Sequence, residues 1–398
     1  MKQSGEYMKR IGIMTLYYKN NNYGGIAQAY ALTEYLRDNH YFAEIISYKR
    51  TPRKKKTLLE NLKEKGFIDY VISHLDILFK RVSLLPVEKI LRKKNHHLLE
   101  QRKESFEKSR EDIPHTKKVY EASDLKLLSD EYDIFLTGSD QVWKPGVIQG
   151  AYVWDFLPED KKCLSYASSI ATTIYPDWYS EYLKSNLEKF SWISVREKTA
   201  QKYLEQLTGR SIACVLDPTL LLSSSKWQSM ISERIIKERY LFAYFLGDSI
   251  SQRKKTKQLA KQMGCKIVTL PHIDNKIRFS DVCFGDYHLY QVSLKDFLNL
   301  IYYSECVVTD SFHAVVFSNI FMKKFWVFDR RTLEKKEKMG SRIDDFLSML
   351  DESDRKLNNK TRIKKIDYNR KIDYNKVNLI LKKEKERSEK EFLKALNS

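Results

Sequence analysis

The stretch ECVVTDSFHAVVFSNIFM, residues 305–322, runs apolar, turns polar for a few residues, and turns apolar again with a different period. Residues 305–310 read as a strand buried on both faces, because strands of a parallel sheet show continuous apolar runs rather than alternation. Residues 313–322 read as a helix. Ser311, Phe312 and His313 then fall in the first helical turn, where unpaired backbone N–H groups and the positive end of the helix dipole favour an anion. A strand that hands over to a helix through Thr309, Asp310, Ser311 and His313 is the unit of an open α/β sheet with a ligand edge.

The same unit recurs along the chain before it. Upstream, 239–248 is a strand, 251–264 a helix closed by glycine, 265–271 a strand and 293–305 a helix. Nearer the start, RIGIMTLYY (10–18) reads as a buried strand, NNNYGG (20–25) as a turn, 26–41 as a helix and 43–48 as a strand. Gly24 and Gly25 let the backbone approach a ligand closely at that helix start, although the spacing is not G-x-G-x-x-G. YDIFLTGSDQVW (132–143), KKCLSYASSIA (161–171) and FSWISVREKTAQKYLEQL (190–207) each place polar residues where a strand ends. The spacing predicts an α/β protein of two doubly wound, Rossmann-like domains facing across a cleft, a GT-B-like plan. The expected units are an N-terminal Rossmann-like domain over 9–225 with a basic helical insertion at about 51–115, a C-terminal Rossmann-like domain over 226–350, and a basic helical tail over 351–398. Within the insertion, 67–82 has an amphipathic period and suggests a helical hairpin covering the first domain.

With 398 residues, 42% of them hydrophobic, the chain has material for a large core. Lys and Arg number 71 against 52 Asp and Glu, a formal charge of +19 that favours an anionic partner. The basic runs at 48–56, 90–97 and 358–371 lack the aromatic interleaving of a nucleic-acid platform, so a nucleic-acid partner is not expected. Five scattered cysteines without a C-x-x-C pair point to a reduced, cytoplasmic compartment rather than disulfides or structural zinc. No run of about 20 apolar residues occurs, so the expected protein is soluble or peripheral.

The strand ends carry the candidate chemistry. His313 suits hydrogen bonding to an anion or proton transfer, because imidazole titrates near neutral pH; the alternative is a surface notch, with Asp310 or Ser311 capping the helix. Arg196 has a planar fork for a carboxylate or phosphate, or else it pairs with Glu197. Arg342 stands at a helix start, where a cation is unfavourable unless an anion is near. Ser139 and Asp140 end their strand; Asp140 either orients or deprotonates a sugar hydroxyl, or caps the next turn. Asp217, before Pro218, reads as a turn residue. Trp143 reads as packing, with sugar stacking as its alternative.

NNNYGGIAQAYAL, YDIFLTGSDQVW, LSYASSIA, ISVREKTA, VLDPTLLL, VVTDSFHAVVFS and SRIDDFL together resemble the polysaccharide pyruvyl transferase family over roughly residues 9–350. That resemblance implies a GT-B-like fold and transfer of a pyruvyl group from phosphoenolpyruvate to a sugar diol, with a cyclic ketal formed and phosphate released. It places Arg196 on the donor's anionic groups and His313 at the donor as ligand or general acid. Some members carry arginine where this chain has Ser311, and Arg342 is the candidate to replace that cation. No metal or cofactor is implied; phosphoenolpyruvate is the co-substrate.

Two rivals stand beside this reading: a GT-B glycosyltransferase using a nucleotide sugar, and a non-enzymatic protein that binds an anionic glycan in the cleft. A lipid-linked oligosaccharide acceptor at the inner leaflet would account for the basic surface, with Lys54, Lys55 and Lys56 as the contacts to an anionic membrane.

Overall fold

The computed structural model describes residues 8–51, 96–272, 278–330, 341–358 and 361–398. The amphipathic 67–82 stretch and Lys54–Lys56 lie outside them. Two parallel sheets organise the chain. The first contains β1 (Arg10–Met14), β2 (Phe42–Ile45), β3 (Ile134–Thr137), β4 (Lys162–Ser165) and β5 (Phe190–Trp192), in the order β2-β1-β3-β4-β5. A short parallel pair, β6 (Ser194–Val195) and β7 (Ala213–Cys214), forms a separate two-stranded sheet. The second contains β8 (Tyr240–Tyr244), β9 (Lys266–Thr269), β10 (Tyr287–His288), β11 (Cys306–Thr309), β12 (Phe325–Phe328) and β13 (Lys356–Leu357), in the order β10-β9-β8-β11-β12-β13. In both sheets the strand order reverses direction next to the first strand, which creates the switch-point crevice of doubly wound folds.

Local sequence explains the helices that matter here. Helix α1 (Tyr23–Asp38) starts at Asn22, whose side chain accepts from the Gly25 amide. Helix α2 is His96–Glu111, α3 is Asp177–Leu187, and α4 (Lys198–Thr208) ends on Gly209 in the left-handed region at φ 68°. Helix α5 is Ile250–Met263, and α6 (Leu294–Tyr302) opens with a Ser293–Asp296 capping box. Then follow α7 (Phe312–Ile320), α8 (Ser341–Leu350) and α9 (Tyr374–Asn397). The sequence reading passed over α3 and β12; the four residues of β12 are too short a run to show a period.

Two elements tie the sheets together. Helix α2, at the end of the 51–115 segment, reaches both sheets. Its Arg102 donates to the carbonyls of Leu289 (2.7 Å) and Tyr290 (2.6 Å) and to the Tyr23 hydroxyl (2.9 Å), and its Ser109 hydroxyl accepts from the Leu294 amide. Helix α9 starts at the second sheet, where the Tyr374 hydroxyl bonds the Lys323 carbonyl, and ends at the first, where the Leu396 carbonyl accepts from Lys9 and Lys162. Phe392 of α9 is fully buried against the rings of Tyr35, Tyr166 and Trp192. Burial of such a side chain contributes roughly 1.5–3 kcal/mol. Ile11 and Ile13 of β1, Val307 of β11, Phe317 of α7 and Leu396 of α9 belong to one continuous apolar cluster.

Candidate active site

The carboxyl ends of the strands converge on one guanidinium. Arg196, just past β6, has a side chain only 1% exposed. Its Nη1 donates to Asp217 Oδ2 at 2.6 Å and to the Ser139 hydroxyl at 3.2 Å, and its Nη2 lies 3.5 Å from Asp140 Oδ1. Glu197, the partner weighed from sequence, is 3.9 Å from Nε and instead accepts from the Ser169 hydroxyl and the amides of Ile170 and Ala171. The expectation that Arg196 offers its fork to a donor therefore meets a fork already occupied by Asp217 and Asp140. Burial disfavours the charge on Arg196, but Asp217, Asp140 and Glu197 overcome it and raise its pKa.

Asp217 is more than the turn residue its Asp-Pro sequence suggests. One oxygen caps the following turn, accepting from the Thr219 amide and hydroxyl, while the other faces Arg196 and lies 3.6 Å from His313 Nε2. That separation is a charge contact rather than a hydrogen bond. Burial works to raise the Asp217 pKa, yet His313 and Arg196 outweigh it and hold the carboxyl well below the usual carboxylate range.

His313 comes from the second sheet, at the start of α7, and is 6% exposed. Its Nε2 has no hydrogen-bond partner among the described residues. Its ring lies against Gly24: a Cβ built there would be 1.9 Å from Nδ1. The close approach that Gly24 permits is thus to an imidazole, not to a ligand, which corrects the sequence reading. Gly25 is hemmed in by Asn20, with Asp140 Oδ2 3.3 Å from where its Cβ would stand. Neither glycine presents open backbone.

Helix α7 lacks the cap proposed for it. Ser311 occupies the N-cap position without a capping hydrogen bond, and the Asp310 carboxylate accepts instead from the amides of Leu246 and Gly247 at the end of β8. Cations gather around this helix start. Phe312 carries the Arg196 guanidinium 4.8 Å and the Arg342 guanidinium 5.9 Å from its ring centre. Arg330, missed from sequence, donates to the Asp310 carbonyl at 3.3 Å. Its position just after β12, itself overlooked, was the signal for it. Arg342 is 5% exposed, and its Nε has no partner among the described residues. Burial, together with Arg196 and Arg330, lowers its pKa to about 9. An arginine buried beside two others is costly unless an anion compensates it.

Asp140 adopts φ 74°, a left-handed conformation unusual outside glycine and one that costs roughly 1–3 kcal/mol. Ser139 is fully buried and donates to Asp217 Oδ2 at 3.2 Å. Trp143 is also fully buried, with its indole N–H on the Tyr152 carbonyl, so it packs and does not stack on sugar. Among the described residues, no group of three or more His, Cys, Asp or Glu is placed to hold a metal ion, and no helix is long and apolar enough to cross a membrane.

Two parallel α/β sheets whose polar strand ends meet at Asp217 define a GT-B-like protein. The chain belongs to the polysaccharide pyruvyl transferase family, a family of transferases whose model matches residues 22–332. Among solved structures it is similar to the UDP-GlcNAc 2-epimerase from Neisseria meningitidis bound to UDP-GlcNAc, with 12% identity over 94% of this chain and 99% of that one and a TM-score of 0.47. It is similar to the UDP-N-acetylglucosamine 2-epimerase from Rickettsia bellii, with 12% identity over 98% of each chain and a TM-score of 0.47. An alpha-glucosyltransferase in complex with UDP and a 13-mer DNA gives 7% identity over 96% of this chain and 91% of that one, with a TM-score of 0.47. No significant match was found among curated proteins.

Proposed function

We propose that the protein transfers the pyruvyl group of phosphoenolpyruvate to two hydroxyls of a sugar in a surface glycan or its lipid-linked precursor, releasing phosphate. The observation that carries this reading is the meeting of Arg196 and His313 on one carboxylate, Asp217, beside Arg342, whose Nε has no partner among the described residues. Arg342, Arg330 and the first turn of α7 hold the donor's phosphate and carboxylate, and the negative donor removes the cost of burying Arg342.

His313 gives a proton to the methylene carbon of the donor, and the positive charge that develops at the neighbouring carbon is taken up by the first sugar hydroxyl. Asp140 accepts the hydrogen bond of that hydroxyl and relays its proton. The C–O bond to phosphate then breaks, and the second hydroxyl closes the ketal. Of the two hydroxyl protons, one restores His313 and the other leaves with phosphate. Asp217 stabilises the imidazolium and fixes Arg196; with its depressed pKa it is too weak a base to take the proton itself. No metal or cofactor takes part in this scheme. The net charge of +19 suits an anionic lipid-linked acceptor met at the inner leaflet from the cytoplasmic side.

The test is incubation of the purified protein with phosphoenolpyruvate and candidate glycans, following phosphate release and the mass of a pyruvylated product. His313→Ala should abolish both while leaving the melting transition in place. Turnover of a nucleotide sugar with no response to phosphoenolpyruvate would sink the reading in favour of a glycosyltransferase.

A further inference from the structure

A cavity of about 320 Å³ opens between α4, α8 and α9 and reaches Arg196, Asp217 and Phe312. Neither His313 nor Arg342 lines it, so it reaches the Arg196–Asp217 pair by a different set of residues from those assigned to the donor. We propose that this cavity is the acceptor-sugar subsite and that Glu384 and Arg387 of α9 select the sugar; the inference rests on the pyruvyl-transfer reading above.

The lining suits a polyhydroxyl ligand. Several of its charges are already held: Arg387 Nη2 lies 2.7 Å from Glu384 Oε2 and 2.6 Å from the Cys214 carbonyl, and Asp345 Oδ2 accepts from the Thr199 amide and hydroxyl, each at 3.2 Å, while Lys198 adds a further ammonium donor to the wall. Paired charges present directed donors and acceptors without demanding a counter-charge, which suits hydroxyl groups. Phe346 and Met349 give the cavity an apolar wall for a ring face. Its volume falls at the small end of ligand sites, about 300–1,000 Å³. Phe312 lines the cavity while His313 and Asp140 do not, so transfer requires that ring to turn aside and let the sugar hydroxyl reach them.

The division of labour follows the chain. Arg196, Asp217 and His313 lie inside the family-matching residues 22–332, whereas Glu384 and Arg387 lie beyond both them and the 9–350 stretch that carries the family's motifs. A shared donor chemistry and a separate acceptor choice would be encoded in this way.

The experiment is calorimetric titration, without phosphoenolpyruvate, of wild type, Met349→Trp and Glu384→Gln with p-nitrophenyl glycosides of glucose, galactose, mannose and N-acetylglucosamine. Wild type should bind at least one of them. Met349→Trp, which fills the cavity, should weaken that binding at least tenfold, and Glu384→Gln, a change of one atom on a half-buried position, should alter the ranking. Both variants should keep the melting-temperature increase that phosphoenolpyruvate gives wild type. No binding by wild type, or unchanged binding and ranking in Glu384→Gln together with unchanged affinity in Met349→Trp, overturns the assignment; if Met349→Trp does not fold, Glu384→Gln decides alone. A wild-type protein that binds a glycoside here but never transfers pyruvate sinks the reaction and leaves the subsite. Transfer with an unchanged acceptor KM in the variants sinks the subsite and leaves the reaction.

Discussion

Gly24 and His313 touch across the two sheets, so closely that a methyl group on the glycine would stand 1.9 Å from the imidazole Nδ1. The ring is buried and has nowhere to retreat without leaving Asp217. Gly24→Ala should lower kcat about 100-fold, the scale on which a displacement of about 1 Å acts. The stability cost should be about 1–3 kcal/mol, typical of overpacking. Steady-state kinetics beside a melting curve checks this, and an unchanged kcat would refute it.

Asp217→Asn leaves the buried Arg196 without its closest counter-charge. Loss of one partner of a buried pair costs about 3–5 kcal/mol. Because the folded pKa of Asp217 lies below its unfolded value, its contribution is fully present above the unfolded value of about 3.9 and is lost as pH falls toward the folded one. Urea unfolding of wild type and variant should differ most near neutral pH, and the gap should close progressively below about pH 4.

Arg342→Met should make the unliganded protein more stable, by about 1–3 kcal/mol, because the guanidinium is buried among like charges. With its pKa lowered to about 9, the charged form is disfavoured on folding at every pH below that value. The variant should melt higher than wild type at pH 7 and lose the further increase that phosphoenolpyruvate gives wild type. A lower melting point would show that Arg342 is structural.

Glu352 gives a prediction away from the site. Burial pushes its pKa up to about 7, although Asn319 and Arg355 pull against it. Its Oε2 accepts from Asn319 Nδ2 at 3.1 Å, while its Oε1 and Asn319 Oδ1 have no partner among the described residues. The folded chain therefore holds a proton that the unfolded chain releases, and stability should fall as pH rises from about 4.5 to about 7. Glu352→Gln, whose amide can reach Asn319, should lack this slope and gain on the order of 2–3 kcal/mol above pH 7. Denaturant titrations across that range decide it.

The sheets were legible because their strands are buried on both faces, and an unbroken run such as Cys306–Thr309 has no other good reading. The placing of His313 at a helix start was legible for the same reason. What sequence could not show was partnership. Asp217 meets Arg196 from 21 residues away and His313 from the other sheet, and its Asp-Pro context already had a sufficient local explanation. Asp310 misled in the opposite sense, since a carboxylate before a helix suggests a cap, yet this one serves the end of β8. The role of Gly24 was hidden because nothing local says what a missing side chain makes room for.

Tyr23, the first residue of α1, lies flat on Phe297 of α6 with ring centres 4.6 Å apart and 5° between planes, and its hydroxyl reaches the Val292 carbonyl. The halves of the molecule thus share an oily seam instead of merely abutting. They should melt together in one calorimetric transition whose van't Hoff and measured enthalpies agree. Either half expressed by itself would bare that seam to water and aggregate.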